Sequence, residues 1–230
     1  MIHAIFFDFN GVLINDEPLQ LKAYQDALAD QGIKLTEKQY YGALGTDDRA
    51  FVRLAFQRED RHLNEETMLS VMERKAESHR KLLEDGLPLF PGVITFLKAT
   101  SRVFLLGLVS MAQRQEIDYV LERLRIGPLF QVIVSAEDVR AHKPDPECYR
   151  CALEKLNEQR RYAGELPLPP QECLVIEDAP PGILAGRTAG MRTLGVTNTV
   201  SAAELRAAGA EVVTSSLADW TVDAVQLLFD

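Results

Sequence analysis

Asp8, Ser110, Lys143 and the adjacent pair Glu177 and Asp178 are the residues of this chain whose types and spacing suit chemistry. Asp8 sits near the end of an apolar run, and Ser110, Lys143 and the acidic pair each fall at or just after the end of another. A carboxylate at the end of a buried strand lies where an α/β sheet opens its binding crevice. A turn cap would explain one such Asp, but four polar groups converging on one sheet edge call for a shared task. Phosphoryl transfer fits the set. A carboxylate can attack phosphorus and form an acyl phosphate, splitting hydrolysis into two displacements. That attack brings anion to anion, so a divalent cation must screen it. Mg2+ takes oxygen ligands of the kind that Asp8, Asp178 and Glu177 supply. Ser110 can donate to a phosphoryl oxygen, and Lys143 can neutralise charge on the transferred group.

The elements that must position these residues follow from hydrophobic period. Short apolar runs, rich in β-branched or aromatic residues and bounded by turn residues, occur at 2–9, 103–110, 132–135, 173–177, 193–196 and 211–214. Their near-continuous hydrophobicity suits strands buried on both faces of a parallel sheet. Helical period occupies 92–100, 113–124, 146–159, 183–189 and 202–208, the last opened by a capping box at Ser201 and Glu204 and closed by Gly209. Strand and helix alternate, which predicts right-handed crossovers and a Rossmann-like, doubly wound α/β core. One stretch breaks the alternation. From Pro18 to Gly86 the pattern is helical throughout, with apolar faces at Leu19, Tyr24, Ala27 and Leu28, at Phe51, Leu54 and Ala55, and over 68–83. About 70 residues is far more than a crossover needs. The expected organisation is therefore a core of 1–15 and 87–230 with an all-helical cap, 16–86, inserted after the first strand. Residues 160–171, with three prolines and a glycine, read as a surface loop.

Composition narrows the partners. The 230 residues are 47% hydrophobic and 26% charged, values of an ordinary packed chain. The formal charge is −9, from 34 acidic and 25 basic side chains, so nucleic acid is an unsuitable partner and a phosphorylated ligand must be drawn in by local cations or metal. No apolar run approaches the roughly 20 residues that span a bilayer, and the opening MIHAIFFDFNGVL reads as a strand rather than a leader. The expectation is a cytoplasmic protein, monomeric or weakly dimeric, that does not engage membranes. Cys148 and Cys151 form a C-Y-R-C element without a second pair, and a helix packing both as small hydrophobes accounts for it better than a zinc half-site.

The motifs D-F-N-G-V-L at Asp8, V-S at Ser110, H-K-P-D-P at Lys143 and I-E-D-A at Glu177 and Asp178 resemble, in order, the four motifs of the haloacid dehalogenase superfamily. N-D-E-P-L, beginning at Asn15, is similar to the D-S-E-P-L of the phosphatases and phosphoglucomutases that carry the small helical cap. The resemblance covers the whole chain and implies a Mg2+-dependent hydrolase of a small phosphorylated metabolite. It makes Asp8 the nucleophile. It assigns Mg2+ to Asp8, the backbone carbonyl of Asn10, Asp178 and Glu177, the last binding or positioning the metal. It gives the phosphoryl group to Ser110, with Met111 beside it, and to Lys143. The segment 44–49 resembles the cap's specificity loop, so Arg49 is a candidate grip on a second anionic group, its alternative being a solvated residue at a helix start. Arg114 reads as a surface partner of Glu116 or Asp118.

Asn10 departs from the pattern where the family's phosphatases usually have an Asp that protonates the leaving oxygen and then activates water. An amide exchanges no proton at neutral pH, and such acid–base help contributes about 10²- to 10⁴-fold. Three readings of Asn10 stay open: an engineered substitution, a natural one with activity limited to good leaving groups or rescued by a residue such as Asp16, and a binding protein that has left catalysis. A phosphosugar mutase is the neighbouring alternative, against which Asn10 counts further. Dehalogenation needs no metal and leaves the acidic pair unexplained; phosphonate hydrolysis wants a cap lysine to form an imine, and the cations nearest the expected place are Arg49 and Arg53.

Overall fold

The computed structural model describes residues 1–43, 46–84 and 86–229. Asn15 is the last residue of a first compact piece, and the chain divides there and at Pro88 into two units: Met1–Asn15 with Leu89–Asp230, and Asp16–Pro88.

In the first unit, β1 (Ala4–Phe7), β2 (Leu105–Val109), β3 (Val132–Val134), β4 (Cys173–Glu177), β5 (Arg192–Val196) and β6 (Val212–Thr214) form one parallel sheet in the order β3-β2-β1-β4-β5-β6. All four residues of β1 and all five of β4 are buried, as expected of strands covered on both faces. The chain moves outward from β1 through β2 to β3, then crosses back to β4 on the other side of β1. That reversal is the switch point at which a doubly wound sheet leaves a crevice beyond its strand ends. One sheet face packs on the helix Glu147–Tyr162, where Phe6, Val134, Val175, Tyr149, Ala152 and Leu156 share a core. Phe7 meets Phe96 and Phe130 edge to face, with centroids 6.1 and 6.4 Å away.

The second unit is helical: α1 (Glu17–Ala29), α2 (Glu37–Tyr41), α3 (Asp48–Arg58) and α4 (Glu65–Glu84). Its own core joins Tyr24, Leu28, Tyr40, Phe51, Val52, Phe56, Met68 and Val71. A capping box at Thr36 and Gln39 starts α2, a turn too short for period analysis to register. Inside this unit lie two buried polar sets. Lys75 reaches both carboxylate oxygens of Asp48 at 3.3 Å while the Tyr24 hydroxyl donates to one of them at 2.5 Å. Asp16 accepts from Gln20 Nε2 at 3.1 Å and lies 3.0 Å from His79 Nε2.

The remaining helices belong to the first unit: α5 (Val93–Thr100), α6 (Arg114–Leu124), α7 (Glu147–Tyr162), α8 (Pro180–Thr188), α9 (Ala202–Ala208) and α10 (Val222–Phe229). Helix α8 begins three residues before the apolar period does, because Pro180 and Pro181 suit a first turn whose N–H groups lack helical partners. The run at 103–110 loses its first two residues from the strand, and Val103 is exposed. Among the described residues no helix is long and apolar enough to cross a membrane.

Candidate active site

Four chain segments converge at the C-terminal edge of the sheet. Asp8 follows β1, and its amide donates to the Ile176 carbonyl at 3.0 Å, so the ladder with β4 continues one residue past the strand and fixes the carboxylate beside Glu177. Ser110 extends β2 in the same way, donating its amide to Val134 at 2.9 Å. Glu177 is the last residue of β4, and Asp178 follows it.

Lys143 arrives differently from the sequence expectation. It stands well beyond the end of β3, on a loop carrying the short turn Ala136–Asp138, and the Lys143–Pro144 peptide is cis. The loop, rather than a strand end, carries the ammonium inward. Lys143 Nζ donates to Asp8 Oδ1 at 2.7 Å and to Glu177 Oε1 at 2.5 Å, and lies 3.4 Å from the Val109 carbonyl. Glu177 Oε1 also accepts from the Tyr149 hydroxyl at 2.7 Å, and the ammonium sits 5.3 Å over the centre of the Tyr149 ring.

Asn10, in the turn after β1, has its side-chain oxygen 3.3 Å from Ser110 Oγ, which also accepts from the Ala112 amide at 3.0 Å. Met111 lies buried between those two partners in sequence. Asn198 clamps the same turn by donating to the Gly11 carbonyl at 2.8 Å, and Thr199 donates to Asp178 Oδ2. Two glycines are required by close approach. A Cβ on Gly11, whose φ is +77°, would fall 1.9 Å from Asp178 Oδ2, and one on Gly182 would fall 1.9 Å from Glu177 Oε1.

Oxygens of Asp8, Glu177 and Asp178 lie within 4.8 Å of one another, all buried. A compact set of hard oxygen donors suits a hard divalent cation such as Mg2+ by its chemistry. The electrostatics point the same way. Burial first, and the neighbouring Glu177 charge second, push the Asp8 carboxyl up to about 7 against the opposing pull of Lys143. Burial disfavours the Lys143 ammonium, but Asp8 and Glu177 outweigh it and hold the amine firmly protonated. One ammonium facing three buried carboxylates leaves negative charge in excess, a deficit that a divalent cation can offset.

Of the expected site residues, Asp8, Asn10, Ser110, Met111, Lys143, Glu177 and Asp178 all lie in the first unit. Arg49 is in the second, in the first turn of α3, paired with Glu65 Oε1 at 2.6 Å on the surface of that unit. Leu44 and Gly45 of the loop resembling a specificity element lie outside the described residues. Arg114 pairs with Asp118 at 2.9 Å, both exposed. Tyr149, Asn198, Thr199 and Gly182 escaped the sequence reading. Tyr149 stands inside the C-Y-R-C element, whose cysteines are free thiols, Cys148 in the core and Cys151 packed against it. Its only signal was its place in the first turn of the helix that follows Lys143.

The sequence pattern described as haloacid dehalogenase-like hydrolase matches residues 5–196. A phosphorylated carbohydrates phosphatase of Thermotoga maritima is 28% identical over 204 residues, 87% of this chain and 88% of that protein. Hexitol phosphatase B of Escherichia coli K12 is 28% identical over 222 residues, 96% and 95% of the two chains. The crystal structure of a β-phosphoglucomutase from Clostridium difficile has a TM-score of 0.85 over 100% of this chain and 97% of that one at 24% identity, a likeness of fold. With the pattern running through most of the chain, from β1 to the end of β5, this protein belongs to the haloacid dehalogenase-like hydrolases.

Proposed function

We propose that the chain is a Mg2+-dependent phosphohydrolase of a small phosphorylated metabolite, with Asp8 as its nucleophile. The observation that carries the reading is the ammonium of Lys143 bridging Asp8 Oδ1 and Glu177 Oε1 beside Asp178 at the switch point of the sheet. Asp8 attacks phosphorus. Ser110 donates to a phosphoryl oxygen, Met111 shapes the wall next to it, and Lys143 balances the charge that builds on the transferred group. Glu177, held by Tyr149, keeps the ammonium aimed at Asp8. Asp8, Asp178, the Asn10 carbonyl and Glu177 at its flank would hold Mg2+, which supplies screening between the two anions.

The relatives named for phosphorylated carbohydrates and hexitols support a sugar or polyol phosphate as substrate. In this reading the unit Asp16–Pro88 is a cap that selects the substrate, and Arg49 exchanges Glu65 for a second anionic group. A pair so exposed is readily given up. Free thiols at Cys148, Cys151 and Cys173 suit a reducing, cytoplasmic setting. A monomer or weak dimer completes the reading. Mutase chemistry demands proton transfer at both sugar oxygens, and Asn10 disfavours it.

The test is turnover of p-nitrophenyl phosphate with Mg2+, whose leaving group needs little protonation. Activity should vanish in Asp8→Asn and rise in Asn10→Asp by about 10²-fold or more. Mg2+-dependent binding of phosphate with no turnover in either background would instead identify a binding protein.

A further inference from the structure

The two halves of the proposed reaction make unequal demands on Asn10. Transfer to Asp8 needs a proton only if the departing oxygen is too basic to leave as an anion. Hydrolysis of the aspartyl phosphate always needs one removed from water. We infer that phospho-Asp8 is a long-lived form of this protein, charged by acyl phosphates or other donors whose leaving oxygen departs as a stable anion; this rests on Asp8 being the nucleophile, as proposed above.

In the first step a carboxylate oxygen of Asp8 forms a bond to phosphorus while the bond from phosphorus to the acyl oxygen breaks. The electron pair leaves with the donor's carboxylate, and no proton moves. The Asn10 side chain, whose oxygen accepts from Ser110 Oγ, is an amide with no basic site for a proton from water. The titratable groups around it are already engaged. Glu177 Oε1 takes hydrogen bonds from Lys143 and Tyr149, Asp178 Oδ2 takes one from Thr199, and Lys143 is cationic. Asp16 accepts from Gln20 and lies within hydrogen-bond distance of His79. Charging is therefore open to a class of donor, whereas discharge meets the Asn10 amide in the place of a base.

The full-length chain, incubated with Mg2+ and acetyl phosphate, should gain one phosphoryl group by intact mass, lost on treatment with hydroxylamine and mapped by borohydride reduction to Asp8. After removal of the donor, the label should persist about 10²-fold longer or more than in Asn10→Asp. Mapping to Asp8 in the unsubstituted chain keeps the test valid if Asp8→Asn fails to fold. If the chain hydrolyses acetyl phosphate steadily with no standing label, or loses the label as fast as Asn10→Asp, the inference is overturned while Asp8 remains the nucleophile. If neither background is labelled although both bind Mg2+ by calorimetry, the assignment of Asp8 falls, and the inference with it.

Discussion

Asp8 must be an anion to attack phosphorus, yet without a cation its surroundings oppose that charge. Its carboxyl is raised to about 7 from 3.8, chiefly by burial and then by Glu177. A carboxyl raised on folding contributes stability that is fully present below its unfolded value, near 4, and lost as pH rises through about 7. Metal-free protein should therefore lose stability between about pH 4 and 7 on account of this group, and Asp8→Asn should flatten that part of the profile. Thermal unfolding in chelator, for both chains from pH 4 to 8, checks this; parallel profiles would contradict it. Mg2+ should reverse the penalty. At about a hundred times its Kd it adds about 3 kcal/mol at pH 8 and much less at pH 5, where a proton must first be displaced. Asn10 predicts a kinetic signature at the same scale. Across aryl phosphates, the rate of the first phosphoryl transfer, read as the burst of released phenol, should fall steeply in the unsubstituted chain as the leaving group becomes more basic and gently in Asn10→Asp, because only the latter can supply the missing proton. Equal slopes would mean that another group protonates the leaving oxygen.

Strand ends carry most of the site, and for that reason much of it was legible in the sequence. Asp8, Ser110, Glu177 and Asp178 stand at boundaries between apolar runs and turn residues, and a parallel sheet brings such boundaries to one edge. What stayed hidden has local causes. Lys143 travels on a loop whose path no period encodes. Tyr149 reads as one more apolar position of α7, because its hydroxyl finds Glu177 only after β4 is laid beside β1. Helix α2, of five residues, gives too few turns for a pattern to emerge. Gly182, in the first turn of α8, tests how far the fit of elements sets the site. A methyl there would strike the carboxylate of Glu177, so Gly182→Ala should shift that side chain, unseat Lys143 and cost about 1–3 kcal/mol together with much of the turnover. Gly164→Ala is the control: its φ of +77° is strained for alanine, but its Cβ would meet open space. Denaturant midpoints and p-nitrophenyl phosphate rates on both variants separate the effects, and a Gly182→Ala enzyme of full activity would dismiss the argument.

Two cores make two stabilities. The sheet and its helices close on Phe6, Tyr149 and their neighbours, and the helical unit closes on Tyr24, Phe51 and theirs. In the helical unit the burial includes a charge pair, Lys75 with Asp48, both side chains nearly inaccessible and the Tyr24 hydroxyl on the same carboxylate. Breaking a buried pair by removing one partner typically costs about 3–5 kcal/mol, because the remaining charge keeps its desolvation penalty. Lys75→Met preserves the apolar stem of the side chain and removes the ammonium, so the loss should fall on charge rather than on packing. The lesion should open the unit in which it sits. Native-state hydrogen exchange is expected to show protection lost across α1, α3 and α4 while β1, β2 and β4 keep theirs, since cooperative units open separately when their contacts are separate. Asp48→Asn in the same background should restore part of that protection, because it removes the stranded charge while keeping an acceptor for Tyr24. Uniform loss over both units would mean that the chain unfolds as one body, and no rescue would mean that packing rather than charge had been damaged.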